Sequence, residues 1–176
     1  MTLLITIIVL ALVFDFINGF HDAANSIATV VSTKVLTPFQ AVIWAAFFNF
    51  IAFFISKYIF GEFGIADTVS KTVDANFVTL PIVASGLIAA IIWNLITWWF
   101  GIPSSSSHTL IGGFAGAAIT ASGFGSIHTS TIVLIASFIV LAPLIGMVIG
   151  NAITIITMHV AKKAHPHKAE KWFKRL

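Results

Sequence analysis

Long apolar segments dominate this chain and set the first limit on what it can fold into. Five of them, separated by short polar stretches, lie at about 2–17, 39–60, 78–100, 103–122 and 131–158. A helix of roughly 20 apolar residues crosses the hydrocarbon core of a bilayer. Only 9% of the residues are charged, against roughly 25% in a soluble domain. The sequence therefore predicts an all-α polytopic membrane protein with about five transmembrane segments.

Polar residues interrupt two of these segments, which we expect to be broken or re-entrant. The first segment runs on through polar residues 18–25, and the fourth, 103–122, is short and rich in Gly and Ser. Irregular backbone at membrane depth must be buried in protein or face water. Buried ionisable groups in a membrane are costly and usually mark a site. The two polar clusters are therefore the predicted site.

Basic residues gather at the end of the sequence. Six of the nine Lys and Arg residues lie in the last fifteen positions. The positive-inside tendency places this tail, 161–176, in the cytoplasm after a transmembrane region at 1–160. A topology anchor explains the tail better than nucleic-acid binding, so no nucleic-acid partner is expected. The absence of Cys from the sequence excludes disulfides, thiolate metal sites and cysteine nucleophiles.

The first polar cluster places carboxylates and amides on one helix face. Asp15, Asn18, Asp22 and Asn25 are spaced by 3, 4 and 3 residues, which puts them within an arc of about 80°. Their oxygens suit a hard cation such as Na⁺, and a carboxylate in a low dielectric could instead carry a proton. The alternative is hydrogen bonding between helices, which we expect for the isolated Asn94.

The second polar cluster is predicted to start a helix. Pro103 is followed by four serines, a histidine and a threonine, and Pro and Ser are typical of helix starts. The first backbone N–H groups of such a helix, with the positive end of its dipole, form an anion site. Serine hydroxyls add hydrogen-bond donors for phosphate or sulfate oxygens. A serine-rich loop is the alternative.

Glycines follow the serine cluster and are expected to let another helix approach closely. They are Gly112, Gly113 and Gly116, of which Gly112 and Gly116 match the small-residue packing pattern of membrane helices.

The two clusters together say more than either does alone. An anion cannot lie beside Asp22 unless a cation or a proton offsets the repulsion. The combination predicts a symporter, since broken helices aimed at an anion, with oxygens holding the coupling ion, recur in secondary transporters.

Both clusters resemble signatures of the inorganic phosphate transporter (PiT) family. Residues 18–29 (NGFHDAANSIAT) are similar to its first signature, and residues 101–113 (GIPSSSSHTLIGG) to its second. The Gly-Phe-His-Asp form is similar to the bacterial low-affinity branch, usually described as proton-coupled and able to carry phosphate as neutral complexes with divalent cations. The resemblance implies phosphate transport by H⁺ or Na⁺ symport in the bacterial inner membrane, with no resident cofactor or metal.

The resemblance also implies roles for individual residues. Asp22 and Asn25 would serve the coupling cation and gating, joined by Asn18 and Asp15 from the same face. Apart from the resemblance, His21 and His108 are candidates for proton handling because histidine titrates near neutrality, and each could equally donate a hydrogen bond to phosphate. The phosphate-binding residues would be Ser104, Ser105, Ser106, Ser107, His108 and Thr109.

The family is built from two inverted repeats, whereas each signature occurs here once. The chain therefore resembles the first half of such a transporter, and we expect it to need a second repeat or a homo-oligomer. The competing prediction is a non-transporting membrane subunit or a channel that uses the polar face for packing. An intramembrane hydrolase is disfavoured, because Ser107 next to His108 does not place a base against a nucleophile. No enzyme activity is expected.

Overall fold

Six α-helices make up most of the residues that the structure describes. The computed structural model describes residues 1–61 and 64–162. Its helices are α1 (Thr2–Ser32), α2 (Pro38–Ile55), α3 (Gly64–Ser70), α4 (Leu80–Trp99), α5 (Ser106–Ser122) and α6 (Thr129–Ala161). Within the described residues α1, α2 with its continuation to Phe60, α4 and α6 are long and apolar enough to cross a membrane. The predicted all-α polytopic membrane protein is confirmed.

The prediction that the first segment is broken is wrong. α1 is one continuous helix of 31 residues that runs through the whole polar cluster. Residues 18–25 contain no proline, and a single glycine in a helix costs only about 1 kcal/mol relative to alanine. Polar side chains alone do not interrupt backbone hydrogen bonds. The first signature therefore lies on the side of a rigid helix and not at a helix end.

The fourth segment is broken at its start, as predicted. α4 ends at Trp99 and α5 begins only at Ser106, after a turn in which Gly101 has a φ of 65°. α5 has 17 residues, which corresponds to about 25 Å. α4 and α5 thus form a helical hairpin with the serine-rich cluster at its tip.

Backbone hydrogen bonds tie the far end of α5 to the connection that precedes α4. The N–H of Asp74 donates to Ser126 O at 2.9 Å, and that of His128 donates to Thr72 O at 3.0 Å. α5 therefore returns the chain to the side of the membrane from which α4 departs.

α1 and α4 run in the same direction along their contact. Ile7 and Phe14 of α1 pack with Leu87 and Ala90 of α4. Farther along both helices, His21 lies 3.4 Å from the hydroxyl of Thr97. α1 continues for ten residues beyond Asp22, a length of about 15 Å. The tip of the hairpin therefore lies alongside α1, well before the end of that helix.

One of the predicted glycines brings α4 and α5 together. A Cβ on Gly113 would lie 2.6 Å from Gly86 O, and one on Gly86 would lie 2.9 Å from Phe114 Cα, so the two backbones touch. Gly112 and Gly116 face open space, so the expectation that they pack against a helix is not met within the described residues.

The compact part Met1–Thr131 contains α1 to α5 and all the contacts of the candidate site. α6 lies mostly in a second part that starts at Ile132, and it carries Pro143 in its interior. The basic tail predicted at 161–176 falls, from residue 163 onward, outside the described residues. The division into 1–160 and 161–176 stays a prediction.

Candidate functional site

The serine cluster builds the start of α5. Ser105 is the N-cap, with an extended backbone, and its hydroxyl oxygen accepts the N–H of His108 at 3.4 Å. The hydroxyl of Thr109 donates back to Ser105 O at 2.9 Å, and it lies 3.4 Å from that of Ser104. The amides of Ser106 and Ser107, in the first turn, have no acceptor within the helix. The start of α5 therefore presents free N–H groups as an anion site requires.

Ser106 connects this helix start to the first polar cluster. Its side chain is 2% exposed, and its hydroxyl donates to Asp22 Oδ2 at 3.4 Å. The Asp22 side chain remains 48% exposed, although each of its two carboxylate oxygens contacts the protein, Oδ2 at Ser106 and Oδ1 at His21. The two polar clusters predicted to form one site do meet here.

His21 lies on the other side of Asp22. His21 is buried between α1 and α4, and its Nδ1 lies 3.2 Å from Asp22 Oδ1. Its Nε2 faces the hydroxyl of Thr97, which is also buried. Thr97, His21, Asp22 and Ser106 thus form one continuous polar chain across α4, α1 and α5.

A cavity of about 930 Å³ lies between α1, α2, α3, α4 and α5. Its wall is mainly apolar, but Asp15, Asn18, Asn49 and Ser107 bring polar groups to it. Asn18 Oδ1 is buried there without a hydrogen-bond partner in the described part of the chain. The cavity therefore joins residues of both predicted clusters, one helical turn or more from Asp22.

Two predicted site residues are not part of these contacts. The side chains of Asn25 and His108 are exposed, and neither forms a hydrogen bond to another helix within residues 1–61 and 64–162. The coupling or gating role of Asn25 and the phosphate-binding role of His108 stay predictions.

Two α4 residues reach the site without belonging to either cluster. Thr97 contacts His21, and Asn94 lies one turn earlier on the same buried face of α4. Asn94 is 0% exposed, and neither atom of its carboxamide has a hydrogen-bond partner among the described residues. The expected interhelical hydrogen bond of Asn94 is therefore absent there. Each is an isolated polar residue in an apolar segment. In the sequence, only their three-residue spacing indicates that they share one face of a helix.

The helices around the site carry no Lys or Arg side chain to offset Asp22. α1, α2, α4 and α5 contain no Lys and no Arg. The only ion pair among the described residues is the one between Asp22 and His21, which counts as a pair only if the imidazole is protonated. Among the described residues, the imidazole of His21 is therefore the group in contact with Asp22 that can carry a positive charge.

Comparison with known proteins decides the family. A model of the phosphate transporter family matches residues 18–176, which include Asp22 and the whole serine cluster. The chain belongs to the phosphate transporter family. The resemblance read from the two signatures is confirmed, and Asp15 lies just outside the matched region.

Curated members of this family are similar over almost the whole chain. The probable low-affinity inorganic phosphate transporter of Rhizobium meliloti is 46% identical over 175 residues, which are 99% of this chain and 51% of the relative. The protein of the same name from Bacillus subtilis is 43% identical, with 99% and 51% covered. The one from Streptomyces halstedii is 40% identical, with 99% and 80% covered. No solved structure matches the chain significantly.

The chain spans about half the length of the first two of these transporters. Family membership and the relatives' names point to a transporter and not to an enzyme. Together with four apolar helices among the described residues, they make this member of the phosphate transporter family a multi-pass membrane protein.

Proposed function

We propose that this chain binds inorganic phosphate at the start of α5 and takes part in moving it across the bacterial inner membrane with a cation, H⁺ or Na⁺. The observation that carries the proposal is the contact between Ser106 and Asp22, 3.4 Å from hydroxyl to carboxylate. It joins an anion-binding helix start to an acidic group at one point. The relatives, named as inorganic phosphate transporters, support phosphate as the anion.

The coupling cation follows from electrostatics. Phosphate at the first turn of α5 would lie near the carboxylate of Asp22, and like charges at such distances repel strongly in a low dielectric. Because the surrounding helices supply no Lys or Arg, a bound cation or a proton would have to travel with the anion. A site that binds phosphate well only when the positive charge is present couples the two movements.

A divalent cation could accompany phosphate as part of the cargo. Among the described residues no group of three His, Cys, Asp or Glu side chains could hold a metal ion. A metal–phosphate complex would thus be bound through the phosphate oxygens, by the serines and amides at the start of α5.

The proposal also includes a second repeat or a second copy of the chain. Asp22 is 48% exposed on a helix that crosses the membrane. An ionisable group at such a position faces a partner or water and not lipid. In secondary transporters the midplane site lies between two repeats, and the exposed part of the Asp22 side chain is where the second would contribute.

Phosphate uptake tests this function. Radiolabelled phosphate would be supplied to bacteria that lack other phosphate carriers and that express the chain alone or together with the second half of a relative. We expect Ser106→Ala to lower uptake about tenfold and Asp22→Asn to lower it more, since a hydrogen bond to a charged group contributes about 1.5–3 kcal/mol. Membrane levels of each variant would be measured by immunoblot.

Matched controls separate the site from general damage. Ser137→Ala removes a hydroxyl that, among the described residues, bonds to Leu134 O of its own helix, and Asp67→Asn neutralises a carboxylate outside the spans. Both should transport like the wild type. Uptake by Asp22→Asn and Ser106→Ala at the wild-type rate would contradict the proposed function and would favour a channel or a non-transporting subunit.

A further inference from the structure

The cavity of about 930 Å³ extends along α1 and α5 to the first turn of α5. On α1 its wall begins at Ile7 and ends at Asn18, which corresponds to about 16 Å of helix. On α5 it begins at Phe114, beside the contact with Gly86, and ends at Ser107. Because α5 runs opposite to α4 and therefore to α1, Asn18 and Ser107 lie at the same end of the cavity.

The other end of the cavity reaches the surface beside α3. Val69 and Ser70, at the end of α3, belong to its wall, and Ser70 is exposed. α3 lies outside the spans and precedes α4 in the chain, so these residues are at the end where α1 begins. The cavity therefore connects the α3 side of the membrane with residues next to the contact between Ser106 and Asp22.

Polar groups in the wall indicate that the cavity holds water. Asp15 lines it on a helix that crosses the membrane, and an ionisable group at such a position faces a partner or water. Asn18 Oδ1 is buried without a hydrogen-bond partner among the described residues, and such an acceptor points to an ordered water or an ion. The volume has room for about thirty water molecules. A hydrated ion therefore fits.

The charge of the wall favours cations. Among the described residues it contains one carboxylate, that of Asp15, and no Lys, Arg or His. Asn18, Asn49 and Ser107 add amide and hydroxyl oxygens, the ligands that hard cations prefer. Asp15 and Asn18 are three residues apart on one helix and are therefore neighbours on its surface. A cleft lined by one sign of charge raises the local concentration of the opposite ion.

We propose that this cavity is an aqueous vestibule through which small cations reach the site from the α3 side of the membrane. Asp15 attracts the cation, and the oxygens of Asn18, Asn49 and Ser107 replace part of its hydration at the inner end. The vestibule ends about one helical turn before Asp22. This assignment rests on the proposed function only for the use of the cation, as the positive charge that travels with phosphate.

Cysteine accessibility tests the vestibule, since the chain has no native cysteine. Asn18→Cys and, separately, Ser107→Cys would be treated in membrane vesicles of either orientation with a cationic and an anionic methanethiosulfonate, neither of which crosses a bilayer. Lys71→Cys, next to α3, and Lys34→Cys, beyond the end of α1, mark the two sides. Remaining thiols are read by a gel shift with a polyethylene-glycol maleimide. We expect both inner-end thiols to react only in vesicles in which Lys71→Cys reacts, and either variant decides the side if the other fails to reach the membrane.

The relative rates of the two reagents test the charge of the vestibule. At Asn18→Cys we expect the cationic reagent to be favoured over the anionic one by about tenfold more than with a free thiol in solution. Asp15→Asn in the same variant should remove this preference and leave the thiol reactive. The matched control is Phe16→Cys, since Phe16 is 75% exposed at nearly the same depth of α1 but is not part of the cavity wall. Its thiol should stay unreactive with both reagents.

The outcomes separate the vestibule from the proposed function. Reaction of the inner-end thiols from the Lys34 side, or from neither side, would overturn the vestibule, as would equally fast reaction of Phe16→Cys. A reagent preference that Asp15→Asn leaves unchanged would overturn the assignment to cations. If the wild type takes up no phosphate while the labelling is as expected, the proposed function alone fails. If it takes up phosphate while Asn18→Cys and Ser107→Cys stay inert, the vestibule alone fails.

Discussion

α4 packs against two helices, and the two contacts are built in different ways. Against α5 the backbones touch at Gly86 and Gly113, with no room for a single added carbon. Against α1 the contact is made by side chains, apolar at Phe14 and Leu87 and polar at the level of His21. One contact is a close backbone crossing, and the other is a seam that ends in polar groups.

The difference shows which contact is able to change. Inside a membrane, helix association depends on van der Waals packing and hydrogen bonds, because lipid is as apolar as the side chains it would replace. The glycine crossing supplies dense packing and fixes the α4–α5 hairpin. The polar end of the α1–α4 seam has the long His21–Thr97 contact of 3.4 Å, and Asn94 is buried there without a side-chain partner among the described residues. Ligand-dependent rearrangement is therefore expected at the seam.

Substitution at the glycine crossing should have the largest effect on stability. Gly113→Val places a branched side chain against Gly86 O, which no rotamer relieves, so the backbones must separate. Overpacking costs about 1–3 kcal/mol or more, and we expect the thermal midpoint in detergent to fall by roughly 10 °C.

Gly112→Val, one residue away, is the control for this prediction, because nothing lies within 4 Å of a Cβ there. The thermal midpoint of Gly112→Val should stay the same or rise slightly, because valine has a higher helix propensity than glycine. Equal midpoints for the two variants would break the comparison, since the crossing would then be no tighter than the rest of the hairpin.

Substitution at the polar seam should have a smaller effect of the opposite sign. Asn94→Leu replaces a carboxamide with two unpartnered buried atoms by an apolar group of similar shape, a change that is neutral or stabilising. We expect the thermal midpoint to stay the same or rise by about 2 °C. Asn151→Leu, at an exposed position of α6, controls for added hydrophobicity. A clear fall for Asn94→Leu alone would mean that the carboxamide has a partner in the folded protein.

Much of the fold could be predicted from the sequence because membrane helices depend on long apolar runs. Segments 39–60, 78–100 and 131–158 coincide with α2, α4 and α6 within a few residues. The break before α5 was also predictable, because Pro103 and the serines favour a helix start over a helix interior. The interruption of α1 was predicted wrongly, because polarity was taken as a sign of irregular backbone where no proline enforces one.

The site was predictable to the extent that its residues cluster in sequence. Asp22 and Ser106 belong to two dense polar clusters, and their meeting follows from the need to pair buried polar groups. Thr97 and Asn94 are single polar residues in an apolar helix, and only the packing of α4 against its neighbours shows that both are buried and that Thr97 contacts His21. In the same way, the rotation of α5 about its own axis decides that Gly113, and not Gly112, contacts α4.

The central claim is that the start of α5 lies against Asp22. The chain has no native cysteine, so the variant Asp22→Cys/Ser106→Cys tests it in membranes without background. A mild oxidant should close a disulfide that protects both thiols from a polyethylene-glycol maleimide, seen as the absence of a mass shift on a gel. The control pair Asp22→Cys/Ser122→Cys, at the opposite end of α5, should stay fully reactive. Full reactivity of the Asp22/Ser106 pair under the same conditions would contradict the account.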